Sequence, residues 1–376
     1  MDPFGYQDAL REECPIAYSP VYEGFWVLTR YQDHREVLQQ PESFSSRIVG
    51  VPGAKWYAGN ELLPLTLDPP QHTKYRALIN PAFSPRRITA LEKTVREQSV
   101  RLIEEIRSAG TGSTEFMADF AEPLPSLVFT EMLGLPSSEY RQFVFWVDTM
   151  LHTPPTEQGV RVRQQAGEQI NDYLTDLIAE RRAYPRDDMV SDLIDSEVDG
   201  QRLSGSEVRR VCFLLFSAGL ETVTTALGWG FRYLAEHPQV RRRLVDAPEL
   251  AEPAVEEILR LHSFVNHART VTRDLDFHGV HMREGDRVLL LSGAAGRDPR
   301  QFPDPTTFDF DRKPNRHIAF SLGPHRCAGS HLARLELRVA LEEWHARIPE
   351  YAIPEGAEVP VHAGGVAGVE KLALAF

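Results

Sequence analysis

One segment restricts the fold of this chain more than any other. From Ser204 to His237 it reads as a single helix of about 33 residues, roughly 50 Å at 1.5 Å per residue. Ser204-Gly-Ser-Glu207 opens it as a capping box, in which the serine hydroxyl and the glutamate carboxylate each take an orphan backbone amide. His237-Pro238 closes it, because proline cannot donate to the ladder and clashes with the preceding turn. The middle, Val211 to Leu220, is almost wholly apolar. A helix of this length and character crosses a core and does not lie on a surface. The apolar run itself is about ten residues, half of the roughly twenty needed to cross a bilayer.

Further helical periodicity covers 84–110, 116–134, 138–151, 158–182, 187–195 and 328–347. Strand signals are short and scattered: Gly24-Phe-Trp-Val-Leu-Thr29, parts of 270–290, and the tail from 350 to 376. The expected class is therefore mainly α, a large helical body with a small β-rich portion, in one domain over residues 1–376. The net charge of −13 disfavours a nucleic-acid partner, since phosphates are repelled. Cys14, Cys212 and Cys327 have no regular spacing, so no disulfide framework is expected. No basic-then-apolar leader opens the sequence, and the expectation is a monomeric protein of the cytoplasm.

The sharpest local feature is Phe320-Ser-Leu-Gly-Pro-His-Arg-Cys327-Ala-Gly329. It sets a lone cysteine at the start of a helix, where unpaired amides and the helix dipole favour thiolate, the form that binds metal. Gly323 suits a backbone turn with positive φ, and Gly329 leaves room for something flat to approach. Phe320 could shield the sulfur from water. A buried structural cysteine and a nucleophile with His325 as its base are the competing readings.

The loop resembles the haem-ligand signature of the cytochrome P450 family, Phe-Gly-x-Gly-x-His-x-Cys-x-Gly. It matches at Phe320, Gly323, His325, Cys327 and Gly329, and departs at Ser321, where the family usually has glycine. Ala218-Gly219-Leu-Glu221-Thr222 is similar to the family's distal motif, and Glu257-Ile-Leu-Arg260 with Arg312 to its buried Glu-x-x-Arg and arginine set. Asp68-Pro-Pro-Gln-His72-Thr-Lys-Tyr-Arg76 resembles a further family segment. The resemblance is closest over the last 160 or so residues, to soluble bacterial members of the camphor-hydroxylase type.

The resemblance implies haem b held by Cys327, with its propionates met by His72, Arg76, Arg269 and His325, and with Ala218 and Gly219 against its distal face. It implies that Thr222 bonds iron-bound dioxygen and that Glu221 delivers protons through water, a pair that peroxide-using members lack. The implied activity is a monooxygenase that puts one atom of O2 into a small hydrophobic substrate, terpenoid-like or aromatic. Oxidative dealkylation, coupling or epoxidation remain alternatives, with a non-catalytic haem sensor more remote. No flavin domain follows Cys327, so electrons are expected from a separate iron–sulfur ferredoxin and flavoprotein reductase, docking near Arg76, Arg316, Arg326 and Arg334. By the same comparison Leu62, Leu63, Leu65, Leu214, Ser217, Val265, His267 and Val366 line the substrate pocket. Asn60 stands where camphor-type enzymes hold the substrate ketone with tyrosine, which argues against camphor.

Overall fold

Apolar residues three and four apart give each long segment one stripe to bury, and helix packing follows. In the computed structural model, which describes residues 3–48, 50–51 and 61–376, the class is mainly α as expected, and Asn60 lies outside the described residues. The Glu92–Ser108 helix buries Val95, Leu102, Ile103 and Ile106 and packs on Ser330–Arg347. Glu157–Ala183 packs against both Tyr140–His152 and Gly205–Gly219. Phe116, Phe120, Phe231 and Trp344 close the centre, with Trp344 edge-on to the three phenylalanines at 5.0–5.3 Å.

The largest sheet among the described residues has five strands, in the order Ile16–Ser19, Phe25–Leu28, Arg287–Leu290, His267–Val271, Phe44–Ser45. Phe25–Leu28 and Arg287–Leu290 run parallel, and the other neighbours are antiparallel. Cross-strand register sets Arg269 opposite Val288 in the sheet interior.

The 204–237 segment is not one helix. Its capping box forms, with Glu207 N–H donating to Ser204 Oγ at 3.2 Å and Ser204 N–H to Glu207 at 2.8 Å. The helix stops at Gly219, and a second runs from Thr222 to Glu236. Glu221 leaves helical geometry at φ −120°. Glycine weakens the ladder at this point, and the Thr222 hydroxyl takes the Ala218 carbonyl at 3.1 Å. By length and composition the Gly205–Glu236 stretch could cross a membrane, but 67% of its most apolar 18-residue window is buried inside the protein. A lesser break at Leu91 splits the 84–110 segment into Pro85–Ala90 and Glu92–Ser108.

Glu257 ties the Ala251–Leu261 helix to the irregular stretch that leads to Cys327. Its carboxylate accepts from Arg260 at 2.7 and 2.8 Å, from Arg312 at 3.0 Å, from Asn315 at 2.9 Å and from the Asp309 amide at 2.8 Å. Arg260 also donates to the carbonyls of Gly296, Pro305 and Thr307. All three charged side chains are buried, so each needs its partners. Glu257→Gln leaves two buried guanidiniums short of a counter-charge. The expected cost is about 3–5 kcal/mol in urea unfolding, and an unchanged midpoint would show the cluster to be dispensable.

Candidate functional site

The cysteine loop is built from two left-handed residues. Gly323 has φ +67°, and a Cβ there would lie 2.4 Å from the Leu38 carbonyl oxygen, so only glycine fits. Ser321 also takes a left-handed conformation, at φ +60°, which costs a side-chain-bearing residue about 1–2 kcal/mol, and its buried hydroxyl has no partner among the described residues. The departure from glycine therefore leaves the turn in place but strained. Cys327 N–H donates to the Phe320 carbonyl at 2.8 Å and closes the loop. Phe320 is half-buried beneath the Arg334 guanidinium, 4.6 Å away, which Glu256 holds by two bonds of 2.6 and 3.0 Å. At Gly329 a Cβ would meet only Phe83 at 3.9 Å and the Cys327 sulfur at 4.0 Å. Among the described residues no atom crowds Gly329, and the open space adjoins the sulfur.

The Ser330–Arg347 helix has Gly329 as its N-cap, so Cys327 precedes the first turn. Burial pushes the Cys327 thiol up, and the Gly329 amide with the charges of Arg76, Arg326 and Arg334 does not cancel that effect. This corrects the expectation that the helix terminus leaves a thiolate. In the chain alone the thiol is favoured, and a coordinated cation would remove the proton. The cysteine is nevertheless exposed. A side chain both exposed and desolvated faces an internal space and not bulk water.

Ala218 is exposed at the end of the Gly205–Gly219 core helix, with Gly219 and Thr222 half-buried beside it, the pattern of a cavity wall. Gly219 has a second reason to be glycine: a Cβ there would lie 2.5 Å from the Phe129 ring. Thr222 bonds the Ala218 carbonyl, as above. The Glu221 carboxylate accepts a hydrogen bond from His152 Nε2 at the end of the Tyr140–His152 helix. The His152 imidazole is pulled down by burial but raised further by Glu221, for a net rise.

Two arginines and two histidines gather from three separate elements. The rings of His72 and His325 lie 4.1 Å apart, and His72 Nδ1 and His325 Nε2 are buried with no hydrogen-bond partner among the described residues. Burial, then Arg76, depresses His72 to about 4. Burial, then His72, Arg269 and Arg76, depresses His325 to about 3. Arg269 is buried, donates to its neighbouring Ala268 carbonyl at 2.7 Å, and burial lowers it to about 10. The Asp68 carboxylate nearby is already engaged by Ser45 and the Ser46 amide. Arg76 donates to Asn80 and to the Arg326 carbonyl. Unpaired buried donors of this kind fit an incoming pair of carboxylates, such as the two propionates of haem.

Of the pocket candidates, Leu62 and Leu63 are buried in the main core. Ser217 spends its hydroxyl on the Phe213 carbonyl at 2.8 Å. Leu65, Leu214, Val265 and Val366 remain partly open, and Val265 and Val366 face each other across a β-bridge. His267 is driven to about 3 by burial first and Arg269 second. Arg316 and Arg326 are exposed. The sequence reading missed His152 and His362 beside Glu221, and Phe129 against Gly219. None of the three carries a local motif.

The raised His152 has a consequence for stability. A group whose folded pKa exceeds its unfolded value stabilises fully below the unfolded value of about 6.5 and loses that contribution as pH rises through the folded value. The stability difference between the wild type and His152→Gln should therefore be largest below about pH 6.5 and shrink as the pH rises above it, read as urea midpoints. A difference that grows with pH would contradict the pairing.

Against this geometry the comparisons are consistent. A family model described as Cytochrome P450 matches residues 18–249 and 246–344. "Probable cytochrome P450 127A1" of Sinorhizobium fredii is 38% identical, over 96% of this chain and 87% of that one. "Mycinamicin IV hydroxylase/epoxidase" of Micromonospora griseorubida is 36% identical, over 93% and 90%. The crystal structure of P450BioI in complex with acyl carrier protein ligated by hexadec-9Z-enoic acid superposes with a TM-score of 0.91 at 29% identity, covering 100% of this chain and 98% of that one. The chain belongs to the cytochrome P450 family, and it is a monooxygenase that uses haem b and O2 and depends on redox partners.

Proposed function

We propose that the chain, as one haem domain in the cytoplasm, hydroxylates a small hydrophobic substrate with Cys327 as the proximal iron ligand. When bound, the haem supplies reductive activation of dioxygen and transfer of one oxygen atom to a substrate C–H bond. The residues provide the rest. Cys327 gives the thiolate. Arg269, His72, His325 and Arg76 take the propionates, and Ala218 and Gly219 leave the distal face uncovered. Thr222 holds a hydroxyl at the distal side, and Glu221 passes protons to it by way of water. Electrons come from a ferredoxin and its flavoprotein reductase. The exposed Arg316 and Arg326 offer the positive contacts, whereas Arg334 is committed to Glu256.

The observation that carries this reading is the helix break at Leu220–Glu221. It sets an acid and an alcohol side by side where the wall is open, and a binding protein without turnover needs neither. The apolar Leu65, Leu214, Val265 and Val366 favour a substrate held by shape, terpenoid-like or aromatic. The relatives named above, one a hydroxylase/epoxidase and one carrying a fatty acyl group, extend the set worth testing to macrolides and acyl chains.

A screen of terpenoids, aromatics, macrolides and fatty acids by the haem spin-state shift should find its ligands among the first two, and shifts confined to the others would replace the substrate class. Thr222→Ala should consume reductant while forming much less product, and unchanged coupling would remove Thr222 from the chemistry. Arg269→Leu should release haem at least about tenfold more readily, since a charge-assisted bond contributes about 1.5–3 kcal/mol. The same change should stabilise the haem-free chain against urea, because a buried charge without a partner is gone. Unaltered haem retention would dismiss Arg269 as a propionate partner.

A further inference from the structure

Glu221 does not stand alone. His152, at the end of the Tyr140–His152 helix, Glu221, in the helix break, and His362, in the Val361–His362 strand, bring one ligand atom each within 4.8 Å of one another. The two imidazole rings lie 4.2 Å apart with their planes at 52°. His362 packs over Gly368, where a Cβ would come within 2.6 Å of its ring, so the glycine makes room for the histidine. Its Nε2 is buried and has no hydrogen-bond partner among the described residues. Asp148, one turn before His152, faces the same group, and its charge reaches His152, Glu221 and His362. Glu370 Oε1 lies 3.9 Å from His362 Nδ1.

Two imidazoles and a carboxylate, with a further acid at the margin, form the ligand set that suits zinc. The ion takes nitrogen at about 2.0–2.1 Å and carboxylate oxygen at about 2.0–2.2 Å in a tetrahedron. Closing the present spacing to that geometry requires side-chain movements on the order of 1 Å. A hydrogen-bonded His–Glu pair accounts for His152 and Glu221. It does not account for a second imidazole set at a tilt against the pair with an unsatisfied nitrogen.

We propose that His152, Glu221 and His362 form a zinc-class divalent cation site whose occupancy locks the Glu221 carboxylate away from Thr222. The inhibitory part of this rests on the reading of Glu221 as the acid that passes protons. The site itself does not. Bound zinc would hold both carboxylate and His152 fixed, so proton delivery would stop while substrate and haem remained in place.

The test uses the haem-loaded protein and Zn2+ alone. Equilibrium dialysis should find one tightly held zinc per chain, and the zinc X-ray absorption edge should show two imidazoles and an oxygen ligand in its shell. His362→Ala and the bulkier His362→Gln should both lose that equivalent while keeping the haem spectrum, which reports a folded chain. His152→Ala should lose it as well. No stoichiometric zinc, or zinc retained by all three variants, would overturn the site. Zinc should also slow product formation in the wild type and not in His362→Gln. Zinc bound at the site with turnover unchanged would leave the site standing and overturn the proton-carrying role of Glu221.

Discussion

The buried carboxylate of Glu257 is the interaction on which the rest of the site depends. Its two oxygens are saturated by two arginines, an asparagine and a backbone amide. Through Arg260 and Arg312 it also gathers the carbonyls of Gly296, Pro303, Pro305 and Thr307. An irregular stretch has no ladder of its own, so its backbone groups must be satisfied from elsewhere. A largely buried charged cluster does this in one place and with little freedom. The chain that leaves the cluster turns into the Ser321–Gly329 loop, and the position of Cys327 follows.

The second determinant is a weakness placed inside the strongest element. A continuous helix from 204 to 237 would keep Glu221 and Thr222 in regular helical geometry. The break frees Glu221 to meet His152 and leaves Thr222 bonded to the Ala218 carbonyl. Glycine at 219 lowers the cost of the break, and the Phe129 ring occupies the space that a side chain would need. Packing and conformational freedom thus act at the same residue. Strain of this kind is tolerated where a site needs it, and the left-handed Ser321 in the opposite wall is another case.

Much of this was legible in the sequence. The capping box at Ser204 and Glu207 forms because it is a contact between neighbours three residues apart. Gly323 takes positive φ, as its place in a turn suggested. The mainly helical class follows from apolar periodicity summed over long windows. Local rules failed where a distant group intervened. The long apolar pattern concealed the break at Leu220. The dipole argument for a Cys327 thiolate was outweighed by desolvation, a quantity set by everything packed around the sulfur.

The sequence by itself determined the helical class, the helix starts and turns, and the ordered motifs that mark the family, because each depends on residues close together in the chain. Only the tertiary structure decided that Asn315 and the Asp309 amide complete the Glu257 carboxylate, that His72 and His325 stand ring to ring with buried nitrogens free among the described residues, and that Glu221 meets His152 and His362. Those contacts join segments with no local signal between them. Burial then sets their chemistry, since a charge or a lone pair removed from water must find its partner among whatever the fold brings near.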